Sequence, residues 1–157
     1  IVGQAVSQGI DIPLLAGDTW DSSVILEAAK GSEQEVFVST FFDEGDDSAA
    51  GSKFVTDFKA WLNANPAKLA NNGGNDIVAA VSALGYDAYM TAIEAIKAAG
   101  SADPKAVNEA LWDVKYTGVT GDISFDENGD AVRDVAYIKQ ADSADATWKF
   151  IGIQSIK

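Results

Sequence analysis

Residues 12 to 42 read as strand, helix, strand, and no other feature restricts the fold of this chain as much. "IPLLA" (12–16) is a short apolar run that follows a helix stop and precedes a loop, the pattern of a buried strand. Residues 24–29 then read as a helix, capped by Asp21 or Ser22 and ended by Lys30-Gly31. "EVFVSTFF" (35–42) is β-branched and aromatic and reads as a second buried strand. Two strands joined by a helical crossover form a βαβ unit, which argues for parallel pairing. The fold class is therefore α/β.

The flanking pattern extends this unit. "IVGQAVSQG" (1–9) reads as the back half of a helix ending at Gly9, so the chain is expected to be a fragment of a longer one. "DEGDDSAAGS" (43–52) reads as an acidic, solvated loop and as a crossover between subdomains. Phe54, Val55, Phe58, Trp61 and Leu62 follow the spacing of one helix face. Pro66 and "NNGG" (71–74) interrupt that pattern. Asn75 is expected to begin the longest helix, which carries Ile77, Val81, Leu84, Ala88 and Ala92 on one side. Val78, Gly85, Tyr89, Ile93 and Ile96 lie beside them, and Gly100 is the stop. So broad an apolar surface predicts burial on more than one side. Asp103-Pro104 starts a further helix. The period then switches to two through Ile123 and Phe125, residues 135–138 and residues 148–153, which predicts packed helices followed by C-terminal antiparallel strands.

Composition narrows the function. The chain has 157 residues, enough for one domain with a core or for pieces of two. It carries 24 acidic against 11 basic residues, a net charge of -13. Such a surface repels phosphate-rich partners, so no nucleic acid partner is expected. No run approaches the roughly 18 to 20 apolar residues of a membrane-spanning helix. Without Cys or His, disulfides, thiol nucleophiles, the usual zinc ligands and His-based triads are unavailable. There is no phosphate-cradling Gly loop, and nothing singles out two carboxylates for glycoside chemistry. The expectation is a chain that is not an enzyme and needs no cofactor.

Three polar stretches invite chemical readings. "DENGD" (126–130) alternates carboxylates and Asn around a Gly, as calcium loops do. Its flanks are strands, however, and the terminal Glu is missing, so a hairpin turn built on Asn-Gly accounts for it. "DEGDD" (43–47) reads as a solvated loop. "GDTWDS" (17–22) lies just beyond the carboxyl end of a parallel strand, where open α/β sheets hold ligands. A carboxylate there, beside an aromatic wall and free backbone N–H groups, can hold an ammonium. The competing reading makes Asp18 a turn residue, Asp21 a helix cap, and Trp20 a side chain packed on its own helix.

The order of elements matches a known family. "IPLLAGDTWDS", "ALGYDAYMTAIEAIKAAGSADPKAVNEAL" and "VTGDISFDENGDAV" resemble, in sequence and in order, the C-terminal part of the type I periplasmic binding proteins. These are the branched-chain amino-acid-binding receptors of ABC transporters, and the similarity runs from residue 1 to about 155. The resemblance implies a fragment of the periplasmic-binding-protein-like type I fold, with residues 1–38 as the βαβ portion of the second lobe. Residues 39–120 would supply helices to the first lobe, and residues 121–157 would return strands to the second.

It also implies a site. Metabotropic glutamate receptors carry a similar Asp-x-Trp whose Asp binds the α-amino group of the ligand. By that correspondence Asp18 would meet an amine, the Thr19 backbone would line the site, Trp20 would buttress the loop, and Tyr86 would approach the cleft. Where glutamate-binding relatives carry a Lys for the distal carboxylate, this chain has Ala83, which points to a neutral or aliphatic amino acid.

The function implied is extracellular or periplasmic binding of an amino acid for an ABC-transporter permease. An alternative is the ligand-binding domain of a sensory receptor. The first-lobe loops that would hold the ligand carboxylate are not among these residues, so the chain would contain half a site. Strand edges and apolar surface left open in such a fragment predict a homodimer or a segment-exchanged oligomer.

Overall fold

The structure is a computed structural model and describes residues 1–133 and 135–155. Helix α1 (Val2–Ser7) ends where Gly9 takes a φ of 64°, a left-handed turn that glycine adopts without steric cost. Strand β1 (Leu14–Ala16), helix α2 (Ser23–Ala29) and strand β2 (Val36–Thr40) form the βαβ unit. As the patterning predicts, β1 and β2 pair in parallel, with Leu14 opposite Val36 and Ala16 opposite Val38. Helices α3 (Ala49–Asn63), α4 (Pro66–Asn71), α5 (Ala80–Ala99) and α6 (Pro104–Leu111) follow. A short hairpin, β3 (Tyr116–Gly118) with β4 (Gly121–Ile123), leads to β5 (Val135–Asp142) and β6 (Thr147–Ser155). The main sheet has the order β1-β2-β5-β6, and β5 runs antiparallel to both its neighbours.

Two apolar cores form, and they do not merge. Val2, Ala29 and Val36 are buried between the sheet and the first two helices, with Leu14, Trp20, Ile25 and Trp148 packed on them. Phe42, Phe54, Val78, Ala80, Ala83 and Val119 make the second core among the later helices. Phe42 meets Phe54 edge-on at 6.0 Å and has no exposed surface. The chain passes between the cores within two residues, since Thr40 ends β2 in the sheet and Phe42 lies in the helical core.

Four expectations need correction. The run 12–16 is not a buried strand, since β1 covers only Leu14–Ala16 at the edge of the sheet and Ile12 and Leu15 are exposed. Helix α5 begins at Ala80, not Asn75. Asn72 donates to the carbonyls of Asn75 and Ile77, and the Asn75 side chain accepts from the Ile77 N–H. These local side-chain bonds replace the first helical turns. The long helix is also buried along one line only, through Ala80, Ala83, Asp87, Thr91 and Ala95, while Val81 and Tyr89 stay exposed. Finally, the acidic loop is not simply solvated. Asp43 is buried, and Glu44 pairs with Lys59 and accepts the Val78 N–H.

"DENGD" is a turn, as read from Asn-Gly. Gly129 has a φ of 86°, and Phe125 bridges Ala131 across it. The Asp126 carboxylate accepts the N–H groups of Asp130 and Asn128, each at 2.9 Å, which holds its carboxyl below the usual range. Asp142 is held low in the same direction, first by Lys149 at 2.6 Å and then by the Ala144 N–H. A depressed folded-state value means that the stabilisation is full above the unfolded value, about 3.9, and is lost as pH falls through the folded value. Melting temperature is therefore expected to fall as pH drops below about 4. Asp126→Ala and Asp142→Asn should each lose less below that pH than the unmodified chain. Equal slopes would remove both carboxyls from the account.

Candidate functional site

At the carboxyl end of β1 the chain turns through one 3-10 turn, Asp18–Trp20. The Trp20 N–H donates to the Gly17 carbonyl at 3.1 Å, and the Asp21 N–H to the Asp18 carbonyl at 2.9 Å. Because β2 runs parallel beside β1, this turn and the loop after Thr40 sit at the same edge of the sheet, where the ends of parallel strands leave a crevice. Asp18 is half-buried, and its carboxylate has no hydrogen-bond or ion-pair partner among the described residues. Thr19 is exposed. Trp20 is half-buried, with its ring against the core under the sheet.

Asp21 overturns its sequence reading as the cap of α2. That helix has Ser22 at its N-cap, with no side-chain bond to the helix. Asp21 turns inward instead, and its Oδ2 accepts from Lys139 Nζ at 3.1 Å, Ala80 N at 3.4 Å and Thr40 Oγ1 at 3.4 Å. It therefore serves the start of α5, whose own N-cap residue Ala79 has no side chain able to do so. Lys139 also reaches Asp43 Oδ2 at 3.2 Å. The Lys139 and Asp21 side chains are each 3% exposed and that of Asp43 is 11% exposed, so the charges face one another rather than water. An interior cation is tolerated only with such partners. The cluster sets one lysine against two carboxylates, and it fastens the residue next to the Asp18 turn.

Sequence reading missed this cluster, although one signal for it existed. Lys139 alternates with Tyr137 and Ala141 along β5, and Ala141 packs in the sheet core. A lysine in phase with a core residue requires a carboxylate. Beside the cluster lies a cavity of about 330 Å³, walled by Glu44, Ile77 and Trp148 among others. The Trp148 Nε1 is buried there without an acceptor among the described residues.

The other sequence candidates lie elsewhere. Tyr86 stands on α5, half-exposed, with its ring 5.2 Å from that of Phe54. It lines a separate cavity of about 390 Å³ with Phe58, Tyr116 and Val119, and no residue of the Asp18–Trp20 turn lines that cavity. Ala83 has no exposed surface and sits in the helical core. Its identity therefore reports packing, and the inference from it about ligand charge does not hold. Among the described residues no three carboxylates converge as a metal site.

Comparison with known proteins gives one consistent result. The sequence pattern of the periplasmic binding protein family matches residues 1–146. Among solved structures, a leucine-binding protein of Thermotoga maritima is 26% identical and superposes with a TM-score of 0.78 over 99% of this chain and 41% of its own. An ABC-transporter substrate-binding protein of Desulfitobacterium hafniense, in complex with leucine, is 25% identical with a TM-score of 0.66, over 96% of this chain and 38% of its own. A solute-binding protein of R. palustris in complex with benzoate shares the fold at 17% identity, with a TM-score of 0.73 over 98% of this chain and 39% of its own. The chain thus spans about two fifths of the length of the structures it matches.

Proposed function

This chain belongs to the periplasmic binding protein family, and from that premise we propose that it is part of an extracellular or periplasmic receptor that delivers a solute to an ABC-transporter permease. The solute in this reading is an amino acid with a neutral or aliphatic side chain. Support for the class comes from the two leucine-related structures. The observation that carries the reading is the unpartnered, half-buried Asp18 carboxylate at the carboxyl edge of the parallel pair. In this reading Asp18 accepts from the α-ammonium, the Thr19 backbone lines the site, and Trp20 holds the turn by its packing. Residues 1–38 and 121–157 then belong to one lobe and 39–120 to the other. The two separate cores support the existence of two lobes, with β2 running on to Thr40 and the β3–β4 hairpin staying with the helical core. Tyr86 has a place near the solute only if the cleft extends along α5.

Calorimetric titration of the full-length protein with L-leucine, L-valine, L-glutamate and benzoate tests this. L-leucine or L-valine should bind, and Asp18→Asn should weaken that binding by about 1.5 to 3 kcal/mol, the scale of a hydrogen bond to a charged group. Benzoate is an anion without an ammonium, so Asp18→Asn should not weaken any benzoate binding. Binding of benzoate alone would remove the amino-acid assignment, and equal leucine affinity in Asp18→Asn would remove the role of Asp18.

The same reading accounts for exposed apolar surface. Strand β1 is an edge of the sheet, with Ile12 and Leu15 63% and 78% exposed, and Ile151 and Ile153 stand out from β6. Unpaired edges and apolar patches recruit partners. The 157-residue chain on its own is expected to form dimers or larger assemblies with exchanged segments, and a monodisperse monomer in light scattering would contradict this.

A further inference from the structure

The sheet and the helical core are joined by two linkers, one leaving β2 through Phe41 and the other running from β4 to β5 through Arg133. A single network touches both. It starts at Asp87, which lies on α5 and is 1% exposed. Its carboxylate accepts the Val119 N–H at 2.9 Å, the Thr120 N–H at 2.8 Å and the Thr120 hydroxyl at 2.6 Å. Arg133 then donates to that hydroxyl oxygen at 3.0 Å through Nη2 and to the Thr120 carbonyl at 2.7 Å through Nη1. The guanidinium carbon lies 5.9 Å from the centroid of the Phe41 ring, within cation–π range.

Three donors satisfy the buried carboxylate, and the hydroxyl passes its polarisation on to the arginine. A turn of the second core against the sheet must change the path of both linkers. It must also loosen the Lys139 cluster that joins the sheet to the start of α5. Here the linkers are tied to each other and to α5, and each tie involves a charged group, the stronger kind of polar contact. Stability of the hairpin alone would account for the bonds at Val119 and Thr120. It does not account for Arg133 reaching across to Phe41.

We propose that Asp87, acting through Thr120 and Arg133, is a positioning residue that sets the relative orientation of the two cores and thereby the solute affinity of the Asp18 edge. The affinity part rests on the solute-binding reading above, whereas the orientation part does not. Asp87 need touch no solute.

The test uses the full-length protein with spin labels at Lys53→Cys on α3 and Lys149→Cys on β6, whose side chains are 76% and 64% exposed. Without solute, Asp87→Asn and Arg133→Met should each broaden the distribution of label distances while circular dichroism remains that of the parent. With L-leucine as probe, both should bind about tenfold more weakly. An unchanged distance distribution in folded Arg133→Met overturns the proposal, even if melting temperature falls. Should Asp87→Asn not fold, Arg133→Met alone decides. A parent protein that ignores L-leucine would count against the solute reading only, because the distance distributions still judge the latch.

Discussion

Lys139→Met is expected to lower stability by about 3 to 5 kcal/mol, the cost of removing one partner from a buried ion cluster. The methionine fills the volume but leaves the Asp21 and Asp43 carboxylates facing each other with no cation, at side-chain exposures of 3% and 11%. Denaturant unfolding should show a lower midpoint at unchanged slope, since the surface exposed on unfolding does not alter. Adding Asp21→Asn and Asp43→Asn to Lys139→Met should recover part of the loss by removing the stranded charges. Lys105→Ala provides the contrast, because its pairing with Glu109 at 4.0 Å is on the surface and is worth less than about 1 kcal/mol. If Lys139→Met and Lys105→Ala behave alike, the buried cluster does not hold the sheet to the start of α5.

Gly118→Ala is expected to cost about 3 kcal/mol, for a reason unrelated to backbone freedom. The backbone of Gly118 lies outside the positive-φ region, but a Cβ there would fall 2.4 Å from the Asp87 carboxylate. Overpacking of that kind costs about 1 to 3 kcal/mol, and displacing the carboxylate strands the buried donors at Val119 and Thr120 at about 1 to 3 kcal/mol more. Asp87→Ala in the same chain should remove the clash, so the double variant should be more stable than the sum of the two single losses predicts. Gly85→Ala is the control, since it lies within α5 with nothing within 4 Å of its Cβ and should gain about 0.5 to 1 kcal/mol. A loss at Gly118 that persists undiminished in the Asp87→Ala background would assign the cost elsewhere.

Much of this fold is legible before any coordinates. The apolar run before Gly17, the α2 helix with its Lys30-Gly31 stop and the β-branched run through Val36 and Val38 determine the parallel unit. Hydrophobic period and stop chemistry are properties of a few consecutive residues, so they survive whatever surrounds them. Asn128-Gly129 likewise determines its own turn. Asp18, Thr19 and Trp20 are readable as candidates because their loop follows a strand in a recognisable order. Tertiary structure decided where long-range polar groups go. Asp21 looks like a cap for the helix beside it, yet it serves Lys139, 118 residues away, and the start of α5. Lys139 announces by its phase that it needs an acid, but 24 acids are available, and the choice follows only once Val38 and Lys139 are in register. Asp87 looks like an ordinary polar position on a helix until the β3–β4 turn brings two N–H groups and a hydroxyl to it. Local periodicity is set by the geometry of one element. The partner of a buried charge is set instead by the cost of leaving it without one, in a place that exists only after the elements have packed.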